Sequence, residues 1–271
     1  MPITIDSHIH TRHSPDGIST MEQHIKKALS LGLSGLCFTE HTDVMSPEPG
    51  FNPGTDLSAY REEFLRMKER YGKDIALRFG LESGLLSWGI EETREYVRGY
   101  AFDYVIASLH WLERFPNMVF PENWRYYQPG DIMGPYAAQL LEHITAYGDF
   151  DCIGHLTYFG RYCPHRDLPL MGYKDAPDEL DALFRYLIQH GKGLEINTST
   201  QPALGFTMPE WDILSRYREL GGEIVAIGSD AHEDVQLARG FDYAEALLTK
   251  AGFSHYTIFE ERSPRFLPLL D

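Results

Sequence analysis

Ile3-Thr4-Ile5-Asp6-Ser7-His8-Ile9-His10 is a short apolar, β-branched run that breaks into polar, histidine-bearing residues. The same pattern recurs along the chain. Ile3–Asp6 is followed by Gly35–Thr39, Ile75–Leu81, Tyr104–Ser108, Asp151–Gly154, Gly193–Thr198 and Glu223–Gly228, each of a length and composition that suits a buried strand. Between the runs the apolar spacing turns helical. Ser19-Thr20-Met21-Glu22 reads as a capping box opening a helix that ends near Gly32. Tyr60, Phe64, Met67 and Tyr71 make one helix face, stopped by Gly72, and similar faces run through 132–147, 178–190, 210–220 and 241–250. Strand and helix alternating this regularly predict parallel βα units, either a doubly wound sheet or a barrel. The longer connections 41–56, 111–130 and 157–176 each follow a strand, where the function-bearing loops of such folds lie. No linker divides the chain, so residues 1–271 are expected to form a single domain.

The chain has 271 residues, of which 43% are hydrophobic and 24% charged, a globular composition. Lys and Arg number 24 against 40 Asp and Glu, a formal net charge of -16, so the basic footprint of a nucleic-acid or anionic-membrane binder is missing. No apolar stretch reaches the length of a membrane span, and the amino-terminal residues lack the basic start of a secretory leader. The 3 cysteines are widely spaced, and Cys37 and Cys152 sit in apolar runs as small buried hydrophobes. A reducing, cytoplasmic compartment is expected.

His8 and His10, two residues apart at a strand end, emerge on one side and can grip one metal ion. The other runs end alike: Glu40-His41, Glu82, His110, His155, Glu195 with Asn197, and Asp230 with His232. A closed parallel barrel would gather these ends at one mouth. Imidazoles and carboxylates without thiolates suit Zn, Mn or Fe in an open catalytic site. Asp16, Glu40, Glu82 and Asp230 with the strand-end histidines can hold roughly two to three divalent cations. Clustered cations would also make the mouth of an acidic protein attractive to an anion, and they suit attack on a phosphate ester. His24, His143, His165, His190 and His255 read as structural. Glu195 reads as the partner of a ligand histidine or of Arg78 or Lys192.

These residues together resemble the polymerase-and-histidinol-phosphatase (PHP) superfamily and, within it, are similar to the histidinol-phosphate phosphatases. The resemblance runs from Asp6-Ser7-His8-Ile9-His10-Thr11 to about 253–264. It passes through Phe38-Thr39-Glu40-His41, Gly80-Leu81-Glu82, Ile106-Ala107-Ser108-Leu109-His110, Ile153-Gly154-His155-Leu156, Glu195-Ile196-Asn197-Thr198-Ser199 and Gly228-Ser229-Asp230-Ala231-His232. It implies a distorted, TIM-like (β/α)7 barrel with a trinuclear metal site. One ion would take His8, His10, Glu82 and Asp230. A second would share Glu82 and add His110 and His155. A third would take Asp16, His41 and His232, with His13 the rival of Asp16. Arg161 would bind the substrate phosphate, with His13, Asn197 and Ser199 as further substrate contacts. Family members often continue after Ser199 with a glycine and a basic residue; here the chain reads Thr200-Gln201-Pro202.

The activity so implied is metal-dependent phosphomonoester hydrolysis, with L-histidinol phosphate the expected substrate. A hydroxide bridging the first two ions would attack phosphorus. Glu82, Asp230 and His232 would be the catalytic residues, with Asp230 and His232 dividing the roles of proton relay and third-ion ligand. Another phosphoesterase of the superfamily is the nearer alternative. An amidohydrolase-type barrel is the distant one, since Leu109-His110 stands where that class carries a lysine. In the aromatic loop 111–130, Trp124, Tyr126 and Tyr127 suit either a lid over the substrate or an oligomer contact.

Overall fold

The computed structural model describes residues 3–165 and 171–269. Seven parallel strands, β1 (Ile5–Ile9), β2 (Gly35–Thr42), β3 (Ala76–Gly84), β4 (Tyr104–Ser108), β5 (Cys152–Ile153), β6 (Gly193–Asn197) and β7 (Val225–Gly228), lie in sequence order in one sheet. The helices between them are α1 (Met21–Leu31), α2 (Leu57–Tyr71), α3 (Ile90–Val97), α4 (Pro129–Tyr147), α5 (Pro177–Gln189), the single turn α6 (Gln201–Leu204), α7 (Trp211–Glu219) and α8 (Phe241–Lys250). The sheet curls into a distorted (β/α)7 barrel. Its closing joint is slight: Asp230 N donates to the His8 carbonyl at 2.8 Å and His10 N to the Ala231 carbonyl at 2.9 Å. Among the described residues these backbone bonds join β1 and β7 at their C-terminal ends, the end carrying the histidines.

Two local features explain the distortion. β5 is two residues long, and the β1–β2 register slips by one residue between Asp6 and Ile9. A bulge of this kind bends its strand and re-aims the side chains beyond it. β7 also approaches β1 very closely at Gly228, where a Cβ would lie 2.2 Å from the His8 Cβ and 2.6 Å from Glu195 Oε1. Gly228→Ala is therefore expected to destabilise the fold by about 1–3 kcal/mol, the cost of overpacking a filled interior. It should also displace His8, so thermal melts and metal analysis of the variant should both register it.

The helices form for the reasons the sequence suggests, with differences of detail. α1 buries Met21, Ile25 and Ala28 and closes on Gly32 at φ 73. Its capping box is one residue later than predicted, Thr20 pairing with Gln23 rather than Ser19 with Glu22. Ser19 is occupied with Asp234 instead. α2 buries Tyr60 and Phe64, and the Tyr60 hydroxyl donates to the carbonyls of Phe38 and Gly80, seating the helix on β2 and β3. α3 and the C-terminal hairpin β8 (His255–Glu260) with β9 (Ser263–Pro268) were not foreseen. Phe259 of the hairpin stacks on Tyr104 at 4.9 Å and joins Cys37, Ile106, Cys152 and Ala226, an apolar plug in the end of the barrel away from the histidines. All 3 cysteines are buried, and Cys37 and Cys152 are free thiols. Arg78 and Lys192 serve elsewhere than Glu195: Arg78 pairs with Glu260, and Lys192 donates to the Phe150 carbonyl.

In the aromatic loop 111–130, Trp124 is fully buried and donates to the Met118 carbonyl, so it is core. Tyr127 packs on Phe115, while Tyr126 is 80% exposed. The loop after β5 is described to His165, and the part of 157–176 spanning 166–170 lies outside the described residues. Among the described residues, no helix is long and apolar enough to cross a membrane.

Candidate metal centre

The C-terminal strand ends meet in a buried cluster, and Glu82 stands at its middle. One of its oxygens, Oε2, lies 3.3 Å from His8 Nε2 and 3.4 Å from His10 Nε2. The two histidine nitrogens are 2.9 Å apart, and Asp230 Oδ1 is 3.3 Å from His10 Nε2. The other oxygen, Oε1, faces His155 Nε2 at 2.7 Å and His110 Nε2 at 3.2 Å, with Ser108 Oγ donating to it at 2.6 Å. Beyond this pair of groups, Asp16 sits 3.1 Å from His232 Nε2 and 3.7 Å from His41 Nε2. Separations near 3.3 Å are the edges of a tetrahedron with arms of about 2.0–2.1 Å, the usual length of Zn–N and Zn–O bonds.

Alternation along β2 separates its two end residues. His41 pairs in register with Glu82 and faces the cluster. Glu40 faces away, accepting from Thr11 N, Thr11 Oγ1 and Ser14 Oγ. The expectation that Glu40 is among the cation-holding carboxylates is thus corrected: it shapes the loop after β1.

The outward nitrogens of the histidines are held by a second set of groups. Glu195 Oε1 lies 2.5 Å from His8 Nδ1, and its Oε2 accepts from His155 N. Ser14 Oγ, itself tied to Glu40, is 3.3 Å from His10 Nδ1. Asp43 Oδ1 is 2.8 Å from His110 Nδ1, and the Asp230 carbonyl is 3.0 Å from His232 Nδ1. An imidazole anchored through Nδ1 offers Nε2, and a carboxylate behind it raises its basicity, which is how metal-binding histidines are oriented. Asp43 and Ser14 were missed in the sequence. Asp43 had a signal, lying two residues beyond His41. Buried Glu82 Oε2 and His41 Nδ1 have no well-aligned hydrogen bond. Orphaned polar atoms at the centre of a buried cluster fit cations placed among them.

Two site residues have unusual backbones. His155 is at φ 23 and Asp230 at φ 52, both non-glycine residues in a costly region. Asp230 is held there by its N–H bond to His8. The remaining expected contacts divide. His13 is drawn out of the cluster by Glu63, 2.9 Å from its Nε2, whereas Asp16 is in it. Asn197 Oδ1 accepts from Ser199 N and Oγ, and Asn197 Nδ2 donates to Glu195, so this pair braces Glu195. Arg161 Nη1 lies 3.6 Å from Asp230 Oδ2, with the guanidinium over the rings of Tyr158 and Tyr162. His24, His143, His190 and His255 are not in the metal-capable groups found among the described residues, and neither is His165.

Electrostatics and geometry agree. Burial alone would raise the Glu82 carboxyl, but His8, His41 and His110 pull it well below the ordinary range. Burial works against the charged form of His41, yet Glu82, Asp16 and Asp43 lift its pKa to about 9. His10 goes the other way, lowered by burial and by facing His41 and His232. In the metal-free protein protons thus occupy part of the cationic role. A histidine raised from 6.5 to about 9 adds stability that is present below pH 6.5 and lost as pH rises through 9. Chelator-treated protein should therefore lose stability across that window relative to metal-loaded protein. Melting both forms at pH 6.5 and pH 9 should show the gap widen with pH; a constant gap would contradict this charge balance.

A cavity of about 220 Å³ opens beside the cluster, lined by His41, Glu48, Phe51, His110, Trp111, Tyr158 and Tyr162 among others. A buried carboxylate–imidazole cluster with an adjoining pocket can bind divalent ions, take an anion on them and accommodate the rest of the molecule beside them.

The model of the PHP domain family matches residues 6–199. The chain belongs to the PHP domain family. PHP relatives include the histidinol-phosphatase of Lactococcus lactis subsp. lactis, 27% identical over 94% of this chain and 94% of the relative. A probable histidinol-phosphatase of Deinococcus radiodurans is 32% identical over 89% of this chain and 90% of its own. Among solved structures, a histidinol phosphate phosphatase from Lactococcus lactis complexed with zinc, L-histidinol and phosphate superposes with a TM-score of 0.85 at 25% identity. The match covers 97% of this chain and 99% of that one. A relative of almost the same extent, known in complex with zinc, thus shares this fold.

Proposed function

We propose that this PHP protein hydrolyses a small phosphate monoester, L-histidinol phosphate, using two to three divalent ions held by His8, His10, Glu82 and Asp230, by Glu82, His110 and His155, and by Asp16, His41 and His232. The observation that carries the reading is the division of Glu82, one oxygen toward His8 and His10 and the other toward His110 and His155. The names of the relatives support the substrate, as does the chemistry of the cavity. L-Histidinol brings an ammonium and an imidazole, and Glu48 with the rings of Phe51, Trp111 and Tyr158 offers a carboxylate and flat faces to receive them.

When bound, divalent ions supply Lewis acidity toward phosphoryl oxygens and acidify water toward neutrality. The side chains do the rest. Glu195, Ser14 and Asp43 hold His8, His10 and His110 in orientation, so the centre needs little rearrangement as charge develops. Arg161 neutralises phosphate oxygens at the mouth. Asp230 spans the gap, with Oδ1 toward His10 and Oδ2 toward Arg161, and is placed to pass a proton toward the leaving oxygen. His232, turned to Asp16 through Nε2, stays with the third group.

The direct test is phosphate release from L-histidinol phosphate and from a panel of sugar and nucleotide monophosphates, on protein loaded separately with Zn, Mn and Fe. A kcat/KM for histidinol phosphate far above the panel is the expected result. Better turnover of another ester would transfer the protein to a different substrate, and no turnover with metals bound would refute the phosphatase reading.

A further inference from the structure

Asp6 is fully buried at the bulge of β1, and its carboxylate, besides a long bond from His8 N, holds the segment that follows β7. Oδ1 accepts from Ser229 N at 2.9 Å, while Oδ2 accepts from Ser229 Oγ and from Ala238 N at 3.0 Å. The metal-side residue Asp230 and the turn at 238–240 are thereby clamped together. That turn is strained as well as tight. Ala238, at φ 55, and Gly240, at φ 71, both have left-handed backbones, and Gly240 is seated against Thr198 and Gln201. The residue between them is Arg239.

This turn folds the Arg239 guanidinium back over Asp230, where Nε meets the Ser229 carbonyl and Nη2 the Asp230 carbonyl, each at 3.3 Å. Its hydrogen bonds among the described residues go to carbonyl oxygens and not to a carboxylate, so its charge stays uncompensated by an ion pair. Burial lowers its pKa, Asp230, Asp6 and Glu233 oppose this and Arg161 adds to it, so a second guanidinium is close by. Arg161 reaches the side chain of the same residue from the other loop, at Asp230 Oδ2. Two guanidiniums thus flank Asp230, one at its carbonyl and one at its carboxylate, beside a candidate metal centre.

The geometry points to Arg239 as a second phosphate-binding arginine, acting with Arg161 from the opposite side of Asp230 and set in place by the Asp6 clamp. This inference rests on the phosphomonoesterase reading and deepens it. Arg161 and Arg239 would share the non-bridging oxygens of the dianion, two forks suiting a tetrahedral anion better than one.

The test uses metal-loaded full-length protein with Arg239→Met and Arg239→Lys, and inorganic phosphate as the probe. Calorimetric binding of inorganic phosphate should weaken roughly ten- to a hundredfold in Arg239→Met. Metal content and the binding of L-histidinol, which has no phosphate, should stay near wild type. Arg239→Lys should recover part of the phosphate affinity, and it decides the matter if the methionine variant folds poorly. Unchanged phosphate binding in both variants would overturn the proposal. So would equal losses for phosphate and L-histidinol, because a merely structural arginine would affect both. Phosphate binding is measured without turnover, so a wild-type protein inert toward every ester would count against the proposed function and still leave this test its own answer.

Discussion

Glu82→Gln should reduce kcat/KM by on the order of 10³-fold or more and lower the metal content of the purified protein. The substitution keeps volume and can keep the hydrogen bond from Ser108, so the barrel should fold. What it removes is the second anionic oxygen. In the wild-type protein Oε2 faces His8, His10 and His41 while Oε1 faces His110 and His155. An amide offers one weak acceptor oxygen and an NH2 group, and the NH2 would point at nitrogens that should themselves be ligands. Metal analysis together with steady-state kinetics checks this. Near-normal metal content and turnover would mean that Glu82 does not join the two groups.

Asp230→Asn should lower kcat by about 10²–10⁴-fold, the range for loss of a group that moves a proton in the transition state. The asparagine can retain the backbone bond to His8 and the φ of 52, since asparagine tolerates that conformation better than most residues. Relay and ligand roles separate through the leaving group. An aryl phosphate whose leaving oxygen needs no proton should be hydrolysed with a much smaller loss than an alkyl phosphate. Equal losses on both would assign Asp230 to metal binding alone.

The parallel βα order was legible because buried strands and amphipathic helices carry different apolar periods, and each period is a local property. The strand-end histidines were legible for the same reason: His8 and His10 are two residues apart, and every run closes on a polar residue. The shifted capping box shows the limit of local reading. Ser19-Glu22 and Thr20-Gln23 are equally plausible by pattern, and Asp234, more than two hundred residues away, engages Ser19 and leaves Thr20 as the cap. The plugging hairpin was missed because Phe259 is explained by Tyr104 and Ala226, not by its own neighbours.

Glu40 and Asp43 make the contrast at the site. Both are carboxylates beside His41, and sequence proximity favoured Glu40. β2 carries His41 opposite Glu82 in register, so Glu40 must face away, while Asp43, past the strand end, turns back to His110. By itself the sequence determined the alternating architecture, the PHP resemblance and the metal-capable residue types, since these depend on spacing along the chain. Only the tertiary structure decided which nitrogen each histidine presents, which carboxylate stands behind it, and that Arg239 lies over Asp230. Those are distances between strand ends remote in sequence, set by barrel closure, the β1 bulge and the buried Asp6 clamp.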